Sequence, residues 1–153
     1  MFTGIIEEVG KIKKIEKTHD KYRIFICANK ILGDAKLGDS VSINGTCLTI
    51  TSIDGNLFTA DVVRETLDKT NLKFLQKENF VNLERAMKAS SRFDGHIVQG
   101  HVEGISKVLA ITSNRDIFII KIELPQNLVK YCIYKGSIAL NGVSLTIAKI
   151  DKN

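Results

Sequence analysis

Apolar and polar residues alternate along this chain in short runs with the two-residue period of a half-buried strand. The alternation predicts strands over 3–16, 22–27, 40–43, 46–53, 57–63 and 80–84. Gly4 and Gly10 in the first run read as bends or bulges, as the corners of a small barrel require. Cys27 reads as a small packed hydrophobe at the end of the second. Residues 29–37 leave room for one helical turn, and the spacing of Leu67 and Leu72 predicts a short helix after the polar stretch Arg64 to Thr70. Short strands at regular spacing, with almost no long helix, predict an all-β fold built on a small closed barrel.

One of these hairpins occurs twice. Asn44-Gly45-Thr46-Cys47-Leu48-Thr49-Ile50 returns 97 residues later as Asn141-Gly142-Val143-Ser144-Leu145-Thr146-Ile147, each copy preceded by a short apolar run. Asn-Gly between alternating runs is the strongest short-range hairpin signal, because both residues tolerate the positive φ of a type I′ turn. In each copy two small polar residues share one strand face, Cys47 with Thr49 and Ser144 with Thr146, while the apolar residues take the other.

The repeat divides the chain into a first barrel over 1–88, a polar linker over 89–95 and a second module over 96–153. Gln99 to Val108 matches Thr3 to Ile12, Ile117 to Ile122 reads as a strand, and Pro125 suits the first turn of a short helix reaching Tyr131. The stretch Ile150-Asp151-Lys152-Asn153 aligns with the turn Ile53-Asp54-Gly55-Asn56. The repeat therefore leads us to expect a truncated second barrel, without its last strands.

Composition narrows the function classes. Of 153 residues, 44% are hydrophobic and 25% charged, which is the balance of a globular protein. The net charge of +5 is scattered rather than gathered into a basic tail, and the chain has 7% aromatics and no Trp. A nucleic-acid-binding barrel needs stacking platforms on an exposed face, so we expect no nucleic-acid partner. Three widely spaced cysteines, Cys27, Cys47 and Cys132, form no metal-ligand or disulfide pattern. The N-terminus lacks the basic and apolar regions of a signal peptide, and no apolar run approaches the ~18 residues of a membrane helix. The expectation is a reduced, cytoplasmic protein with no membrane partner.

The candidate chemistry lies on the repeated face. Cys47 and Ser144 occupy equivalent places, and His101 follows Gly100, where bare backbone admits close approach. A strand face turned to water, and a satisfied structural histidine, are the plainer readings of the same residues. No P-loop, dinucleotide fingerprint or metal-ligand spacing occurs. The residues by themselves lead to two similar barrels with matching polar patches, suited to one ligand type bound in two places.

Together Met1-Phe2-Thr3-Gly4-Ile5, the two Asn-Gly hairpins, Glu65-Thr66-Leu67, Asn82-Leu83-Glu84-Arg85-Ala86 and Gly95-His96 with Gly100-His101 resemble riboflavin synthase of the alpha-chain type. The resemblance implies two tandem six-stranded Greek-key barrels followed by a C-terminal helix that assembles a homotrimer. It implies dismutation of two molecules of 6,7-dimethyl-8-ribityllumazine, with neither metal nor cofactor. It groups Gly4, Ile5, Ile6, Cys47, Leu48, Thr49 and Asp61, Val62, Val63, Arg64, Glu65, Thr66 around one lumazine. Gly100, His101, Val102, Lys135, Ser144, Leu145 and Thr146 surround the other, the two half-sites facing each other across subunits. His101 is the implied base, Ser144 and Thr146 relay or orient, and Cys47 and Ser40 act as nucleophile or water-holder toward the acceptor. Asn141 stands where the family is expected to carry Asp, which removes a charge and keeps the turn. A non-catalytic lumazine or flavin carrier, like the fluorescent relatives of this family, is the competing function.

Overall fold

In the computed structural model, residues 1–115 and 117–151 are described; Lys152 and Asn153, part of the aligned turn above, lie outside them. The first module is a closed barrel of β1 (Glu8–Lys17), β2 (Lys21–Cys27), β3 (Ser40–Ile43), β4 (Thr46–Asp54), β5 (Leu57–Val63) and β6 (Phe80–Arg85). Around the barrel the order is β1-β2-β5-β4-β3-β6, every pair antiparallel, and β6 closes on β1. Alternation fills the interior: Ile12, Ile24, Ile26, Val41, Ile43, Phe58 and Leu83 have no exposed surface. Burying such side chains contributes roughly 1.5–3 kcal/mol each, which makes this core the chief source of the module's stability.

Two short helical pieces cap the barrel. A single 3₁₀ turn, Ile31–Gly33, buries Ile31, and the Glu8 carboxylate accepts from the backbone N–H groups of Asn29 and Ile31. Helix α1 (Arg64–Lys69) runs into a 3₁₀ turn over Asn71–Phe74, and Leu67 and Leu72 anchor the pair in the core. Thr70 joins them, its hydroxyl donating to the Thr66 carbonyl and accepting from Leu72 N–H.

Three local expectations change. The first strand starts at Glu8, so residues 1–7 form an extended strap outside the barrel. The bulges fall at Lys13 and Thr51, where the register shifts, while Gly10 serves close packing: a Cβ there would lie 2.4 Å from Leu83. Cys27 is half-buried on the outward face of β2, because Ile24 and Ile26 already take the inward positions.

The described part of the second module is two antiparallel hairpins. One joins β7 (Val108–Asn114) to β8 (Ile117–Ile122), and the other β9 (Ser137–Leu140) to β10 (Val143–Thr146). Helix α2 (Gln126–Val129) lies between them with Pro125 at its N-cap, a turn shorter than the spacing suggested. Gln99 to Lys107 is a second extended strap, with the strand beginning only at Val108.

Candidate functional site

Both Asn-Gly turns take the left-handed backbone that the sequence requires: φ is +49° and +84° at Asn44 and Gly45, and +48° and +81° at Asn141 and Gly142. The turns meet back to back. A Cβ on Gly45 would lie 2.7 Å from the backbone nitrogen of Gly142, and one on Gly142 would lie 2.8 Å from that of Gly45. Side-chain amides fasten this junction: Asn82 Nδ2 donates to the Asn141 carbonyl (2.9 Å) and Asn71 Nδ2 to Asn141 Oδ1 (2.9 Å).

From the junction the two hairpins run in matching register. Ser40 pairs with Thr49 and Ser42 with Cys47; in the second copy Ser137 pairs with Thr146 and Ala139 with Ser144. The polar residues share one face in each hairpin. Leu48 turns into the barrel core, and so does Val62 on β5, so their side chains lie behind the face. Lys135 holds in the second hairpin the place of Gly38 in the first. Lys135 N–H donates to the Ile147 carbonyl at 2.8 Å, as Gly38 N–H does to that of Ile50 at 2.9 Å.

The straps complete these faces, and they do so crosswise. Phe2 and Val98 exchange both backbone hydrogen bonds, at 2.7 and 3.0 Å, so the two straps run antiparallel past each other. Each then pairs with the hairpin of the other module. Ser144 N–H donates to the Gly4 carbonyl and Cys47 N–H to the Gly100 carbonyl, both at 2.8 Å. Gly4 (φ +78°) and Gly100 (φ +84°) permit this approach: an added Cβ would stand 2.7 Å from the Ser144 Cβ and 2.6 Å from the Cys47 Cβ.

The structure therefore groups the expected residues differently. Gly100, and with it exposed His101 and half-buried Val102, joins Cys47, Thr49 and Ser40. Gly4, with Ile5 and Ile6 behind it, joins Ser144, Leu145 and Thr146, and Ile6 reaches toward Gly142. The physical reason is the strap crossing, which hands each N-terminal segment to the opposite hairpin.

Asp61 lies on β5 one residue past the paired Ile50 and Ala60, on the Thr49 side. Its carboxylate takes Arg23 in a two-pronged pair, 2.7 Å to Nε and 2.9 Å to Nη2, and Lys21 Nζ at 2.7 Å. The Arg23 hydrogen bonds, despite partial burial, hold its pKa down at about 2. Val63, Arg64 and Glu65 are exposed; Arg64 pairs with Asp68 and Glu65 with Lys69 along α1, leaving half-buried Thr66 as the inner residue of that turn.

Two residues join the site that the sequence reading did not assign to it. His96 Nδ1 lies 2.7 Å from Ser144 Oγ, and Ser137 faces Thr146. The repeat held the signal for Ser137, which is the counterpart of Ser40, whereas His96 has no counterpart to mark it. A cavity of about 880 Å³ also opens between the second module and the Asn44–Thr46 turn of the first, with Ile120, Ile122, Leu124, Leu128, Ile138 and Leu140 in its apolar wall. It lies along the apolar side of β9 and β10, without Ser144 or Thr146 in its wall, but His96, Gly100, His101 and Val102 line it too, so it adjoins both polar faces.

Comparison with known proteins bears on this geometry. The family model described as "Lumazine binding domain" matches residues 3–86 and again 99–153, the two halves of the repeat. Riboflavin synthase of Actinobacillus pleuropneumoniae is 48% identical over 151 residues, covering 99% of this chain and 70% of that protein. The chain belongs to the riboflavin synthase family. Riboflavin synthase of Bacillus subtilis is 46% identical over 147 residues, covering 96% of this chain and 68% of its own length. Among solved structures, LumP complexed with riboflavin superposes with a TM-score of 0.92 at 32% identity, covering 99% of this chain and 82% of LumP. LumP complexed with 6,7-dimethyl-8-(1'-D-ribityl) lumazine gives 0.88 at the same identity, covering 99% and 81%. The riboflavin synthase relationship thus spans both modules, the all-β fold included. No helix among the described residues is long and apolar enough to cross a membrane.

Proposed function

We propose that this chain carries out the riboflavin synthase reaction at its two polar strand faces, each holding one 6,7-dimethyl-8-ribityllumazine. One lumazine gives four carbons to the other, yielding riboflavin and 5-amino-6-ribitylamino-pyrimidinedione. The atoms of two identical bicycles are all retained in the two products, so the reaction calls on no outside reactant. The observation that carries this reading is the duplicated hairpin face, each copy roofed by a glycine strap from the other module. A reaction between two copies of one molecule is served by two like receptors.

The chemistry asked of the side chains is modest. The C7 methyl of the lumazine is acidic because its carbanion spreads over the bicycle, and a positioned base adds the usual ~10²–10⁴-fold. His101 is the proposed base, exposed next to Gly100 on the Cys47 face, with Cys47 and Ser40 toward the acceptor ring. The 2.7 Å contact between His96 and Ser144 favours a second base, His96 acting through the Ser144 hydroxyl on the other face, with Thr146 orienting. Holding two rings in reacting register matters more than either base. A homotrimer, in which half-sites of neighbouring subunits meet, and a cytoplasmic location belong to the same proposal.

A carrier function is the alternative that the likeness to LumP favours, and turnover separates the two. His101→Ala is expected to lower kcat about 10²-fold while changing lumazine affinity less than threefold, because a base acts in the transition state. Cys47→Ser is expected to be milder, since Ser144 already fills that place in the repeat. Unchanged turnover in His101→Ala together with a large loss in His96→Ala would transfer the base to the Ser144 face. Tight binding without turnover in the unmodified protein would make it a carrier.

A further inference from the structure

Glu84 is the only charged residue buried among the described residues; it is 4% exposed and lies outside the barrel core. It sits on β6 opposite Ser42 of β3, on the outward face that the first strap covers. Its neighbours in sequence, Leu83 and Arg85, point elsewhere: Leu83 into the core, Arg85 to a two-pronged pair with Glu7 that fixes the far end of the strap. The Glu84 carboxylate accepts three hydrogen bonds from the strap itself. Thr3 N–H (2.6 Å) and Thr3 Oγ1 (2.8 Å) donate to Oε1, and Gly4 N–H (3.0 Å) donates to Oε2.

The same two residues hold the second polar face with their carbonyls. The Thr3 carbonyl accepts from His96 N–H at 3.0 Å and the Gly4 carbonyl from Ser144 N–H at 2.8 Å. His96 and Ser144 are the residues whose side chains meet at 2.7 Å. One carboxylate therefore fixes Thr3 and Gly4 through their N–H groups, and the carbonyls of these same two residues, in the Thr3–Gly4 peptide unit and the next one, hold the backbone of both partners in the polar pair. Hydrogen bonds to an ionised acceptor are about twice as strong as neutral ones and keep their geometry when buried.

We propose that Glu84 is a positioning residue for the Ser144 half-site, setting the His96–Ser144 pair through Thr3 and Gly4. This rests on the reading that Ser144 serves the lumazine reaction. It adds that a residue of the first barrel governs the polar face of the second module. A purely structural Glu84 would anchor the N-terminus and affect both faces alike.

The test is a cycle of Glu84→Gln and Ser144→Ala in the whole chain. Turnover and lumazine affinity are measured for each variant, and backbone amide exchange is followed by NMR. Gln has the size of Glu but turns an N–H₂ donor against one of the strap's donors. Glu84→Gln is expected to lower kcat on the order of tenfold and to have less than a twofold effect once Ser144 is Ala. In it the amides of Ser144 and His96 lose protection, while Ile24 and Ile26 in the barrel keep theirs. Equal losses of turnover with and without Ser144, or unmoved Ser144 and His96 amides, would overturn the proposal. Moved amides with Ser144→Ala fully active would leave the positioning intact and refute the functional reading instead. Should Glu84→Gln fail to fold, Thr3→Val removes a single one of the three bonds, and its coupling to Ser144→Ala must have the same sign.

Discussion

The two copies of the Asn-Gly hairpin have the same turn, the same register and the same polar face, yet the modules around them differ in how they bury apolar surface. In the first, Ile24, Ile26, Val41 and Phe58 have no exposed surface; among the described residues of the second, Ile117, Phe118 and Ile119 are 67%, 70% and 57% exposed. A hairpin is thus specified locally, by two residues that accept positive φ and by alternation on either side. A core is specified globally, by strands far apart in sequence closing on one another. What ties the copies together is the strap crossing, which gives each hairpin a backbone partner from the other module.

Core substitutions break the comparison most sharply. Ile24→Ala is expected to cost about 2–5 kcal/mol, because it leaves a cavity in a filled barrel, whereas Ile119→Ala stays within about 0.5 kcal/mol. Urea unfolding followed by far-UV circular dichroism measures both. Equal costs would mean that β8 is as well packed as β2.

Much of this was legible in the sequence. The six strands of the first barrel, the turn types and the equivalence of Cys47 with Ser144 follow from local chemistry that Asn44-Gly45 and Asn141-Gly142 state twice. The strap crossing was not. Residues 1–7 and 99–107 carry strand-like alternation, and nothing local distinguishes an extended segment that pairs within its module from one that pairs across. Gly4 and Gly100 were legible as places of close approach, but what approaches them is a long-range matter. Glu84 was visible as part of a family motif, and its burial depends on a strap 80 residues away. His96 read as the opening of a module because its partner, Ser144, lies 48 residues on.

A smaller effect separates the modules by pH. Asp61, held at about 2 by Arg23, is depressed in the folded state relative to an unfolded value near ~3.9. Its contribution is therefore fully present above about pH 4 and is lost as the pH falls through 2. Glu7, lowered chiefly by its hydrogen bond to Arg85, acts in the same direction on the first strap. In the second module Asp151 is lowered by Lys149, but that pair is solvent-exposed and is worth little. Acid should thus weaken the first barrel selectively, and Arg23→Ala should raise the Asp61 midpoint, read from its carboxyl carbon shift in an NMR titration. An Asp61 midpoint unmoved by Arg23→Ala would assign the depression to some other group.

The strap crossing itself is tested most directly by amide exchange in two glycine variants. Gly4→Ala pushes a methyl against Ser144, and Gly100→Ala pushes one against Cys47. With the straps exchanged, Gly4→Ala accelerates exchange at the Ser144 amide at least tenfold and spares Cys47, and Gly100→Ala does the reverse. Acceleration at Cys47 in Gly4→Ala, with Ser144 still protected, would contradict the exchange and return each strap to its own module.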